Sequence, residues 1–315
     1  MYIGNLKIKS SIFLAPMSGV SDYPYREIVK KFKPGLVFSE MIASRALVEK
    51  NRKTLKMIKK DSNDLYAIQI AGCDPKVMGE AAKMCEDFGA DIIDINMGCP
   101  VKKVVNGYAG SALMRDETLA LSIIESVVNS VDIPVTLKMR KGWDEKSLNA
   151  PNLAIMAEKA GIKLITIHGR TRCQMFKGKS DWEFIKNVKK AVKVPVIVNG
   201  DINNISDLKK AKSLSCADGV MIGRGSYGRP WIFEEISEEF SKNKKYKISK
   251  LKKKDIILEH FANSLSHYEK EVGIKSFRKH LGWYSKSLEN SNEFRCKINN
   301  CLDKSEIESL IKNFF

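Results

Sequence analysis

Paired cysteines, clustered histidines and long apolar runs are all missing from this chain of 315 residues. The seven cysteines (73, 85, 99, 173, 216, 296 and 301) contain no C-x-x-C pair, and the four histidines fall at no zinc-binding spacing. An odd, scattered set of thiols excludes a disulfide framework and points to a reducing compartment. No metal site is expected. The opening MYIGNLKIKSSIFLAPM carries an apolar run too short for a signal peptide or a membrane helix, and no later run approaches the length that spans a bilayer. The expectation is a cytoplasmic protein with no membrane segment. Acidic residues are also in deficit, with 37 Asp and Glu against 54 Lys and Arg, a net charge of +17. Such an excess suits a polyanionic partner, or else a solvated lysine-rich surface; charge alone leaves both open.

What is present is a rhythm. Short, nearly continuous apolar runs recur at 12–15 (IFLA), 36–39 (LVFS), 66–70 (YAIQI), 92–95 (IIDI), 135–138 (VTLK), 164–167 (LITI), 195–198 (PVIV) and 219–222 (GVMI). Runs without alternation are the mark of parallel strands covered on both faces. Amphipathic stretches lie between them, such as 75–88 and 117–130. Eight strand–helix units over about 235 residues match a closed α/β barrel, a (β/α)₈ TIM barrel, where an open sheet usually has fewer strands. After residue 235 only helical spacing remains. The junction 242–254 holds eight lysines and no acid, and residues 241–315 hold 17 Lys and Arg against 9 Asp and Glu. We therefore expect a barrel domain over 1–240 and a small, basic, all-helical domain over 241–315.

Chemistry in such barrels sits at the C-terminal ends of the strands. Those ends carry Pro16, Met17 and Ser18; Gln69; Asn96 and Cys99; Lys138; His168; Asn199, Gly200 and Asp201; and Gly223 and Arg224. Singly, each has an ordinary explanation: a small buried hydrophobe for the cysteine, a satisfied core group for the histidine, a solvated lysine. Together they place polar groups at one mouth, where chance would scatter them over both ends. The glycines after the last two strands suit a phosphate grip aided by Arg224. Residues 223–228 spell G-x-G-x-x-G, but they follow the eighth strand instead of opening a first βα turn, so a dinucleotide fingerprint is rejected.

In this order the motifs resemble the tRNA-dihydrouridine synthases, and the bacterial DusB-like branch in particular. The resemblance rests on LAPMSGVSDYPYR (14–26), QIAG (69–72), DINMGCPVKKVVNGYAGSALM (94–114), TLKMRKGW (136–143), TIHGRTR (166–172), VNGDI (198–202), MIGRGSYGRPWIF (221–233) and FRKHLGWY (277–284). It implies FMN at the barrel mouth, NADPH as reductant and a tRNA uridine as substrate. By position it implies Pro16, Met17, Ser18, Gln69, Lys138, His168, Asn199, Gly200, Asp201, Gly223 and Arg224 as FMN contacts, and Cys99 as the proton donor. No protein partner is implied, and a monomer is expected.

The implied reaction saturates the C5=C6 bond of uracil. A hydride from reduced FMN N5 to C6 leaves enolate-like charge, which a proton at C5 quenches. A thiol suits that donor because thiols titrate near the working range. Lys102 and Lys103 would favour a thiolate if they turned inward. Asn96 is a candidate partner for the uracil edge and equally a turn-forming asparagine. Arg172 and Lys102 are candidate contacts to base or phosphate, although a surface arginine is the simpler reading of Arg172. A stacked uridine must be flipped out to reach a barrel mouth, so a backbone grip is needed. In 278–286 (RKHLGWYSK), Arg278 and Lys279 offer that contact, while Trp283 is assigned to the core. Two rivals remain: an FMN barrel reductase for a free pyrimidine, which has no use for a basic tail, and a non-catalytic RNA-binding protein, which needs neither Cys99 nor a flavin.

Overall fold

A computed structural model describes residues 1–58, 64–242 and 246–315. Lys244 and Lys245 of the lysine-rich junction thus lie outside the described residues. Eight parallel strands close into a single barrel: β1 Ile12–Leu14, β2 Leu36–Ala43, β3 Ala67–Ala71, β4 Ile92–Met97, β5 Val135–Arg140, β6 Leu164–His168, β7 Val196–Asn199 and β8 Gly219–Ile222. The last strand returns to the first, with Val220 opposite Ile12 and Ile222 opposite Leu14. Each strand falls on an expected apolar run. β2 runs longer than expected because its register shifts between Phe38 and Met41, a bulge that carries pairing on to Ala43.

Because side chains alternate along a strand, each barrel strand sends every second residue inward. The lower inward positions are apolar: Phe13, Phe38, Ala67, Ile92, Leu164, Ile197 and Met221 pack as one inner core. That core also takes in Ile3 and Ile8, from and beside a hairpin of two two-residue strands, Tyr2–Ile3 and Leu6–Lys7. The sequence reading had no such hairpin, since strands this short carry no periodicity to read. The upper inward positions are polar and buried: Gln69, Asp94, Asn96, Thr136, Lys138, Thr166, His168 and Asn199. The barrel is thus greasy at its floor and polar at its mouth.

Helices cover the outside, and their starts are written in the sequence. Asp74, Asp116 and Asn204 cap the helices Pro75–Asp87, Glu117–Ser130 and Ile205–Ser215, each side chain accepting a backbone N–H of the first turn. After the helix Ile232–Lys242 come four more: Lys250–His267, Lys270–Tyr284, Ser291–Asn300 and Lys304–Phe314. They dock through Tyr25 of the helix Tyr23–Lys30, whose ring lies 5.5 Å from that of His260 and 5.4 Å from that of His280. Tyr268 donates a 2.9 Å hydrogen bond to Asp22. Among the described residues no helix is long and apolar enough to cross a membrane.

Candidate active site

Just below the mouth, a chain of hydrogen bonds crosses β3, β4 and β5. The Asp94 carboxylate accepts from Thr136 Oγ1 at 2.6 Å and Gln69 Nε2 at 2.7 Å. Gln69 Oε1 accepts from Asn96 Nδ2 at 2.7 Å, and Asn96 Oδ1 accepts the backbone N–H groups of Gly98 and Cys99 at 3.2 and 3.0 Å. Burial raises the Asp94 carboxyl above its usual range against the pull of Thr136, Gln69 and Lys138. Burial lowers the Lys138 ammonium, with Asp94 opposing.

The other side of the Cys99 peptide is held as firmly. Its carbonyl accepts from both the backbone N–H and the hydroxyl of Ser111, at 3.0 and 2.8 Å. Gly110 precedes that serine with φ +61°, and a Cβ there would lie 2.8 Å from the Cys99 oxygen. Only glycine fits. This is the physical content of the G-S-A-L spacing.

The opposite wall is cationic. Gly200 adopts φ +115°, and Asp201 behind it accepts from Arg170 Nη2 at 2.5 Å, Arg224 Nη2 at 3.2 Å and the Ser180 N–H at 2.8 Å. Lys138 Nζ donates to Asn199 Oδ1 at 3.1 Å. Burial, and then Arg140, Lys138, Arg170 and Arg224, hold the His168 imidazole well below its usual range, so it is neutral. Its Nε2 lies 3.4 Å from Arg170 Nη1, a donor, which makes that ring nitrogen the acceptor.

One cavity of about 830 Å³ gathers these groups. Its lining holds Pro16, Met17, Ser18, Gln69, Asn96, Cys99, Lys138, His168, Asn199, Gly200, Asp201, Gly223 and Arg224, so the strand-end set does share one mouth. Asp201 spends its carboxylate on Arg170, Arg224 and the Ser180 N–H. Four other candidates lie elsewhere. Arg172 stacks on Trp143, 4.7 Å from ring centroid, and Lys102 is exposed on a short helix outside the cavity lining. Arg278 donates to the Cys301 carbonyl at 2.9 Å and ties two tail helices together. Lys279 approaches the β1 loop, its Nζ 3.9 Å from where a Cβ on Gly19 would stand. Trp283, assigned to the core, is only partly buried; it stacks on Tyr227 at 4.0 Å and lines the cavity. The sequence reading passed over Arg140, Arg170 and Phe176. Arg140 was legible, since it lies two residues after Lys138 and therefore faces the same way; Phe176 sits in a loop without periodicity.

Motif order and geometry together point to one family, and the comparisons decide it. The profile described as "Dihydrouridine synthase (Dus)" matches residues 13–315. The chain belongs to the dihydrouridine synthase family. Among its relatives, a probable tRNA-dihydrouridine synthase of Rickettsia bellii (strain RML369-C) is 52% identical over 99% of this chain and 97% of its own length. The tRNA-dihydrouridine synthase B of Pseudomonas aeruginosa PAO1 is 41% identical over 99% of this chain and 95% of its own length. Solved structures share the barrel at low identity. A 2-naphthoyl-CoA reductase complex superposes with TM-score 0.59 at 16% identity, over 76% of this chain and 51% of that one. Histamine dehydrogenase from Rhizobium sp. 4-9 gives 0.59 at 14%, over 85% and 50%. This chain spans about half the length of each.

In this family member the Asp201 bridge makes a direct prediction. Asp201→Asn leaves Arg170, which is 2% exposed, without its carboxylate. The expected cost is about 2 kcal/mol of stability, read as a lower urea midpoint.

Proposed function

We propose that this chain reduces uridine in tRNA to 5,6-dihydrouridine, using FMN at the barrel mouth and NADPH as the reductant. The observation that carries the reading is Cys99, its peptide gripped from both sides, at the rim of a cavity whose opposite wall is cationic. The donor set suits a flavin mononucleotide. Met17 and Ala15 offer an apolar bed for a flat ring, and Lys138 and His168 would hold its polar edge. The turn at Gly200, Gly223 and Arg224 suits a phosphate. The cavity volume also lies within the roughly 300–1,000 Å³ of small-molecule sites. FMN held there would be the source of the hydride for uracil C6.

The chain's own residues do the rest. Cys99 gives its proton to C5. Lys138, whose ammonium burial disfavours, would be drawn to its charged form as negative charge gathers at the ring edge. Asn96 has both lone pairs of its oxygen occupied by backbone N–H groups, so it offers a uracil carbonyl its remaining N–H. Residues 241–315 would hold the RNA backbone with the uridine flipped out. The proposal sets the reaction in the cytoplasm, in a monomer.

Nucleoside mass spectrometry on tRNA from cells with and without the gene tests this. Dihydrouridine should fall at one or more positions and return with the wild-type gene. Unchanged dihydrouridine in cells lacking any other such enzyme would refute the reading, and colourless protein that takes up no FMN would favour a purely RNA-binding role.

A further inference from the structure

Arg140 is among the largest fully buried side chains of the molecule, 1% exposed, yet it lines the mouth. A guanidinium taken out of water needs its N–H groups satisfied. Here the partners are backbone carbonyls from two separate segments. Nε donates to the Gly98 oxygen at 2.7 Å, and Nη1 donates to Thr171 and Met175 at 2.8 Å each. Gly98 adjoins Cys99, and Met175 adjoins Phe176, whose half-exposed ring sits 5.6 Å below the same guanidinium and 5.1 Å below that of Arg224. One rigid fork on the end of β5 therefore spans the turn that carries the thiol and the rim loop that carries an aromatic face. No described carboxylate is paired with Arg140, so the two loops meet through its carbonyl contacts.

We propose that Arg140 is a positioning residue that clasps the 96–100 turn to the 170–176 loop, so that the thiol and the aromatic rim are set as one unit. Lysine cannot replace it, because a single ammonium on a flexible stem does not reproduce the separate Nε and Nη1 donors that reach the two segments. The kinetic part of this inference rests on Cys99 being the proton donor; the structural part does not.

Hydrogen–deuterium exchange on the flavin-loaded wild type and Arg140→Lys, without RNA, tests the clasp. Both 97–100 and 171–176 should exchange at least tenfold faster in the variant, while the helix Lys270–Tyr284 is unchanged. Faster exchange in only one segment, or in neither, overturns the proposal. Should the variant fail to fold, the wild type alone suffices, since clasped segments must open together with the same urea dependence and unclasped ones need not. In turnover, Arg140→Lys should lower kcat for uridine at least tenfold with flavin reduction by NADPH within twofold of wild type. Equal loss in flavin reduction would mean that Arg140 serves the cofactor directly, and would overturn its role as a residue that positions the thiol. A wild type that reduces no uridine would sink the proposed function while leaving the exchange result intact.

Discussion

Cys99→Ala is expected to slow uridine reduction by about 10²- to 10⁴-fold, the usual worth of a positioned general acid, while the protein stays folded and keeps its flavin. The substitution isolates the thiol unusually well. The hydrogen bonds that Cys99 makes with described residues use its own backbone: its N–H donates to Asn96 Oδ1, and its carbonyl accepts from the N–H and hydroxyl of Ser111. Alanine preserves them all and removes only the thiol. A proton delivered in the transition state should cost kcat and kcat/KM alike, with KM for tRNA little changed. Flavin reduction by NADPH, followed at the flavin absorbance without RNA, should stay near wild type. Tenfold or less loss of uridine turnover would take the proton from Cys99 and leave the neutral His168 or solvent to supply it.

A second large effect is expected in acid. His260 and His280 are buried where the tail docks on the barrel, with ring centroids 4.6 Å apart. His260 Nδ1 meets the Tyr284 hydroxyl at 3.1 Å; its Nε2 and His280 Nδ1 have no hydrogen-bond partner among the described residues. Burial first, and then the Lys279 charge, push His260 down to about 3; burial, His260 and Lys279 hold His280 well below its usual range. Both are neutral in the folded protein and take up protons only on unfolding. The unfolded chain binds more protons below pH 6.5, so stability is full above that value and declines as pH falls toward the folded pKa. At pH 5 His260 costs about 2 kcal/mol, from roughly 1.4 kcal/mol per pH unit below 6.5, and His280 adds to that loss in the same direction. Urea midpoints at pH 7.5 and 5.0 measure it. The His260→Phe/His280→Phe double variant should lose most of that drop, since contributions from carboxylates are common to both proteins and cancel. An undiminished drop in the double variant would assign the acid sensitivity elsewhere.

The placement of these histidines shows where sequence reasoning stops. In the chain they are 20 residues apart on two helices, each with an ordinary amphipathic pattern. Nothing local says that they meet over Tyr25, more than 200 residues earlier. The barrel is the opposite case. Its strands were legible because a strand buried on both faces needs an unbroken apolar run, and that need is met within four to eight residues. Gly110 lies between these extremes: its spacing from Cys99 was visible as a motif, but its reason, a left-handed turn against the Cys99 carbonyl, required coordinates.

The mouth divides the same way. Alternation along β5 determines that Lys138 and Arg140 face inward together, and strand ends determine that polar residues collect at one rim. Only the tertiary structure decides how those groups spend their hydrogen bonds. Asp201 turns to Arg170 and Arg224, Gln69 and Asn96 are oriented by a carboxylate below and a turn above, and Arg140 reaches carbonyls on two loops. Which side chains point inward follows from the periodicity of a strand, a local property of the chain. What each one touches follows from closure of the barrel, which brings together residues tens of positions apart.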